Sequence, residues 1–248
     1  MVDLNVLHNL IYTVQSAPNI LLKKSEELEF VGHCLMNANE TQSQNYQDVF
    51  VLYQTKYKRD GYFVEFGATD GKIISNTILL EEKYGWKGIL AEPNLVWHND
   101  LLKNRTCNIS KKCVYSETGK EIEFIASDTP DISGIKEFAS KDEHTENRNR
   151  GKTILVPTIT LNDLLDEYSA PESIDYLSID TEGSEFHILK AFFDEPKRYD
   201  IQNITVEHNH INEDRTNIFN LLAANGYRRR FTAFSRCDDF YTKAILHG

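Results

Sequence analysis

Apolar residues recur along the chain in short runs, each closed by an acid, a glycine or a proline, and the stretches between them carry apolar residues at helical spacing. Tyr62-Phe63-Val64-Glu65-Phe66 mixes aromatic and β-branched residues and predicts a buried strand. Further strands are predicted at Gly88–Glu92, Lys112–Ser116, Glu121–Ala126, Ile154–Ile159, Ile174–Asp180 and from Ile204 to Glu207. Tyr227–Ser235 and Phe240–Leu246 read as a closing antiparallel hairpin. Helices are predicted between them, over Ser75–Lys83, Leu95–Asn104, Thr160–Tyr168, around Ile188, Leu189 and Phe192, and over Asp214–Asn225 with Gly226 at the C-cap. Upstream, Val6, Leu7, Leu10, Ile11 and Val14 keep helical spacing until Pro18, a second helix covers Ser25–Met36, and a third follows Gln44. Strand and helix alternating in this way predict an α/β fold with a mostly parallel sheet and helices on both faces.

The expected division is an N-terminal helical extension over residues 1–42 and one α/β domain over 43–248. Residues 127–152 are polar, charged and long, which predicts a mobile, substrate-facing loop. A formal net charge of −11 opposes binding of a polyphosphate chain, so a nucleic-acid partner is not expected. Cys34, Cys107, Cys113 and Cys237 form no C-x-x-C pair and have no histidine at zinc spacing, so they read as reduced packing residues in a cytoplasmic chain. No apolar run approaches the roughly 20 residues of a membrane span, and no basic region precedes an apolar core at the N-terminus.

Chemistry concentrates at strand ends. The first strand passes directly into Gly67-Ala68-Thr69-Asp70-Gly71, where two nearby glycines let backbone approach a ligand. Glu92 closes the second strand at about the spacing from which an acid reaches a ribose diol; a surface acid capping the next helix is the plainer reading. Asp180 and Glu207 close two later strands, with Glu182, His208 and His210 just beyond. In an open α/β sheet the ligand site lies outside these carboxyl ends.

Several stretches together resemble the FkbM family of S-adenosylmethionine (SAM) methyltransferases. They are Ser43–Asp48, Phe63–Gly71, Ser75-Asn76-Thr77, Gly85–Asn94, Thr158–Leu165, Ile174–Glu185 and Val206-Glu207, in that order along the chain. The resemblance implies a Rossmann-like class I fold with a seven-stranded sheet, SAM as donor, and O-methylation of a hydroxyl on a sugar or natural product. It implies cofactor contacts at Glu65, Gly67, Ala68, Thr69, Asp70, Gly71, Ser75, Asn76, Glu92, Pro93, Asn94 and Asp180, with Val114, Tyr115 or Ser116 a candidate beside the adenine.

Methyl transfer to an alcohol needs a base or a metal, because the hydroxyl proton is tightly held. His208 and His210 are the first candidates for the base, with Asp180 and Glu182 next. Asp180, Glu207 and His208 are candidate ligands for Mg²⁺. The chain lacks Asn/Asp-Pro-Pro-aromatic after the fourth main strand, which disfavours nucleobase amines, and lacks a cysteine there, which disfavours covalent pyrimidine chemistry. The acceptor is therefore expected to be a small molecule or a glycan. Two alternatives of other classes stay open: an NAD- or nucleotide-sugar-binding oxidoreductase, and a SAM-binding module without catalysis. No Tyr-x-x-x-Lys pair in the expected helices supports the first.

Overall fold

The computed structural model describes residues 25–129, 132–138, 145–148, 150–196 and 198–244. The helix expected over Val6–Val14 and the end of the last strand at Leu246 lie outside the described residues.

The central strands form because their residues are buried on both faces, which selects continuous apolar runs. They are β1 (Tyr62–Phe66), β2 (Lys87–Ala91), β3 (Asn108–Ser110), β8 (Ser173–Ile179) and β9 (Asp200–Glu207), all parallel. β11 (Asp238–Lys243) runs antiparallel to β9 and separates it from β10 (Tyr227–Arg230). The seven strands lie in the order β10-β11-β9-β8-β1-β2-β3. The expected Rossmann-like, class I methyltransferase sheet with its antiparallel C-terminal pair is therefore present.

Alternation along β1 divides the core. Val64 and Phe66 face one layer, where α6 (Leu161–Glu167), α7 (Glu185–Asp194) and α8 (Asn212–Ala224) contribute Leu164, Leu165, Ile188, Leu189, Ile218 and Leu222. Phe63 faces the other layer, built from α1 (Ser25–Asn37), α2 (Gln47–Gln54), α3 (Ile78–Tyr84) and α4 (His98–Asn104). Phe30 of α1 stacks on Phe231 with ring centroids 4.3 Å apart, so α1 shares the core of the sheet domain rather than standing outside it. Among the described residues no helix is long and apolar enough to cross a membrane.

The third strand departs from expectation. The main sheet takes Asn108–Ser110, and the chain then leaves it, so that β4 (Cys113–Val114) pairs with β7 (Lys152–Ile159) in a second sheet. β5 (Glu121–Ala126) and β6 (Gly134–Ile135) complete that sheet in the order β4-β7-β5-β6. An edge strand as short and polar as Asn108-Ile109-Ser110 carries little apolar pattern, whereas Cys113 is buried in the core of the small sheet and Val114 in the main core. The segment expected as one mobile loop contains β6 and a short helix, α5 (Thr145–Arg148). Residues 130–131, 139–144 and 149 lie outside the described residues.

Candidate active site

The carboxyl ends of β1, β2, β8 and β9 share one edge, and a cleft opens there. It is lined by Glu65, Gly67, Ala68, Thr69, Ser75, Asn76, Glu92, Pro93, Asp180 and Glu182, all singled out from sequence. Val114 of the small sheet, a candidate from sequence, lines it as well, and so do Cys113, Phe124, Ser133 and Ile135, which sequence reasoning did not find.

Glu65 folds the turn after β1. Its carboxylate accepts the Asn76 N–H at 2.8 Å, the Ser75 hydroxyl at 3.2 Å and the Thr77 hydroxyl. Arg105, whose side chain is 1 % exposed, lies 3.7 Å from it. Arg105 also donates to the Gly71 carbonyl at 3.0 Å, to Ser75 and Thr77, and to Glu81 at 2.7 Å. Nothing in Asn104-Arg105-Thr106 marks a buried cation. Asp70 accepts the N–H groups of Lys72 and Ile73 at 2.8 Å each and shapes the loop. Asp70 and Gly71 sit behind the cleft wall rather than on it.

Gly67 is the narrowest point. It has φ +71°, and a Cβ there would lie 1.9 Å from the Asp180 carbonyl oxygen. The ends of β1 and β8 are thus held at backbone contact. Asn76 donates to Ser178 at 2.9 Å, while its buried Oδ1 has no hydrogen-bond partner among the described residues. A buried acceptor left open on a cleft wall is suited to a ligand donor.

Glu92 is 5 % exposed and accepts the Thr69 N–H at 3.0 Å and the Asn94 N–H at 2.8 Å. Burial pushes its carboxyl up to about 7, against the two N–H bonds that hold it down. Once ionised it keeps lone pairs for a vicinal diol. Asn94 does not line the cleft itself but donates at 3.1 Å to Ser133, which does, tying the β2 end to the segment before β6.

Asp180, Glu182 and Glu207 each present a carboxylate oxygen, and these atoms lie within 4.8 Å of one another. Asn209 donates to Glu182 at 3.1 Å and to Glu207 at 3.0 Å. Burial raises the carboxyls of both Asp180 and Glu207, and the charge of Asp180 raises Glu207 further. Glu182, Asn209 and His210 adopt left-handed backbone at φ 61°, 45° and 58°. Such conformations in residues other than glycine gather at functional edges.

The two histidines do not join this group. His208 is buried, accepts the His210 N–H on Nδ1 at 3.2 Å, and turns Nε2 toward Asp239 at 4.0 Å. Burial lowers its ring to about 4, a weak base. His210 is exposed, and neither lines the cleft. Among the candidate metal ligands, Glu182 rather than His208 stands with Asp180 and Glu207. Ser116 follows β4 out of the main sheet and lies off the cleft, whose wall is instead Cys113 and Val114.

No curated protein matches the chain. Solved structures resemble it at low identity, two of them as follows. One is precorrin-6y C5,15-methyltransferase from Geobacter metallireducens, at 12 % identity and TM-score 0.40 over 79 % of this chain and 86 % of that one. The other is an O-methyltransferase from Bacillus cereus in complex with S-adenosylhomocysteine (SAH), at 14 % identity and TM-score 0.40 over 92 % and 94 %. The FkbM methyltransferase domain matches residues 65–229, the span from the acid of β1 through the strand-end carboxylates into β10. The chain therefore belongs to the FkbM methyltransferase domain family.

Proposed function

We propose that this chain, a SAM-dependent methyltransferase by its family, methylates a hydroxyl of a sugar, a glycan or a glycosylated natural product in the cytoplasm. The observation that carries the reading is the set Asp180, Glu182, Glu207 and Asn209 beside the cleft, since carboxylates and amides are the groups that bind and orient hydroxyls. SAM, when bound, supplies an electrophilic methyl group. Glu92 holds the ribose diol, the open Oδ1 of Asn76 accepts from the ammonium, and the backbone of Gly67–Thr69 follows the methionine tail. Asp180, on the cleft wall, takes the hydroxyl proton, and Glu182 and Asn209 fix the acceptor. The small sheet covers the cleft and excludes water.

A second reading keeps the same reaction with Mg²⁺ held by Asp180, Glu182 and Glu207. The close set of three carboxylates favours it, and a divalent ion there would acidify the acceptor hydroxyl. The oxidoreductase alternative falls with the family assignment.

Labelled methyl transfer to a panel of glycans tests the proposal. The label is expected in a base-stable ether. Asp180→Asn is expected to lower turnover by roughly 10²–10⁴-fold, and His210→Ala to leave it nearly unchanged. Label on nitrogen or in a base-labile ester contradicts the hydroxyl acceptor. Transfer undiminished in Asp180→Asn contradicts the role of Asp180, and no transfer at all favours a binding module.

A further inference from the structure

We infer that Arg148 is the resident cation of the carboxylate cluster, a positioning residue carried to Glu182 by the segment between β5 and β7. The inference rests on the proposed placement of the acceptor beside Asp180, but its test needs no acceptor, so the two fail separately.

Arg148 closes α5 and its side chain is fully buried. A buried guanidinium is costly unless ion-paired and hydrogen-bonded. Its Nη2 donates to Glu182 Oε2, and its Nε donates to the Ile132 carbonyl at 2.6 Å. The Asn209 amide donates to the same Glu182 oxygen and also to Glu207. Arg148 thus pairs with one carboxyl of the cluster directly and stands one amide away from a second. Gly134 brings the small sheet against the same residue, since a Cβ there would lie 3.1 Å from the Glu182 Cβ. β6 and Arg148 therefore meet at Glu182, on the acidic end of the cleft.

This arrangement decides between the two readings above. A divalent ion shared by Asp180, Glu182 and Glu207 would have to bind a Glu182 carboxylate that Arg148 and Asn209 already hold through Oε2. With Arg148 in place the cluster needs no metal to stay together. The charge that remains suits the sulfonium of the donor.

Mn²⁺ is the probe, read by electron paramagnetic resonance and calorimetry on native protein and variants. Native protein is expected to bind it weakly, with Kd above about 1 mM, because Arg148 occupies the electrostatic role. Arg148→Gln removes the charge and keeps a donor for the Ile132 carbonyl. It is expected to bind Mn²⁺ at least about tenfold more tightly while SAH affinity stays within about twofold. Arg148→Lys, which keeps the charge, is expected to behave as native protein. Native Kd below about 0.1 mM, or no gain in Arg148→Gln, overturns the inference. Should Arg148→Gln fold poorly, the Arg148→Gln/Glu182→Gln double variant decides. A recovered melting temperature shows that the two charges are partners, and a further additive loss overturns the pairing.

Discussion

Arg105→Met is expected to destabilise the protein by about 3–5 kcal/mol, the cost of leaving buried partners of a charge uncompensated. The guanidinium is buried and serves Glu81, Ser75, Thr77 and the Gly71 carbonyl from three of its nitrogens. Through Ser75 and Thr77 it sets the groups that hold Glu65, and hence the turn that forms the cleft. Burial raises the Glu81 carboxyl, but the Thr106 hydroxyl and Arg105 outweigh it and hold the group below its usual value. The folded value is depressed, so this contribution is present above the ordinary carboxylate range and is lost as pH falls through the lowered value. Urea unfolding at pH 7 measures the total. Arg105→Lys is not expected to restore it, because one ammonium cannot reproduce the planar fork. A loss under about 1 kcal/mol would show that the network does not hold the loop.

Gly67→Ala is expected to cost at least about 3 kcal/mol and to abolish SAH binding in whatever folded protein remains. Two penalties coincide. The backbone is left-handed at φ +71°, and the new Cβ would lie 1.9 Å from a carbonyl oxygen of β8's end, which cannot swing aside as a side chain does. Gly119 is the internal control. It has φ +80° with nothing within 4 Å of a Cβ, so Gly119→Ala carries only the backbone penalty, about 1 kcal/mol. Equal melting temperatures for the two variants would contradict the close approach of β1 and β8.

The sheet was largely legible in the sequence, and the reason is burial. β1, β2, β8 and β9 are covered on both faces, so Phe63-Val64, Ile89-Leu90, Tyr176-Leu177 and Ile204-Thr205-Val206 leave unbroken apolar runs. β3 was missed because an edge strand of three residues, two of them polar, has no such pattern. The small sheet was hidden for a related reason, since its strands read singly but nothing local says that β4 leaves the main sheet for β7.

At the site, strand-end acids were legible because topology puts them on one edge. Arg105 and Arg148 were not, because a charged residue in a polar stretch reads as solvated until its burial is known. The histidine expectation turned on a single residue. His208 faces Asp239 across from Glu207, and Asn209, in left-handed backbone, is the residue that meets Glu182. No local sequence signal specifies that turn.

The central claim is that this cleft binds the adenosyl donor through Glu92. Calorimetry of SAH and NAD⁺ into purified protein at pH 6 and pH 8 tests it most directly. The Glu92 carboxyl, raised to about 7, must ionise to accept a diol, so it is charged at the higher pH and mostly neutral at the lower. SAH is expected to bind about tenfold more tightly at pH 8 than at pH 6. Glu92→Gln is expected to flatten that slope, and NAD⁺ is expected not to bind. Binding of NAD⁺ without SAH, or an SAH affinity indifferent to both pH and Glu92→Gln, would contradict the account.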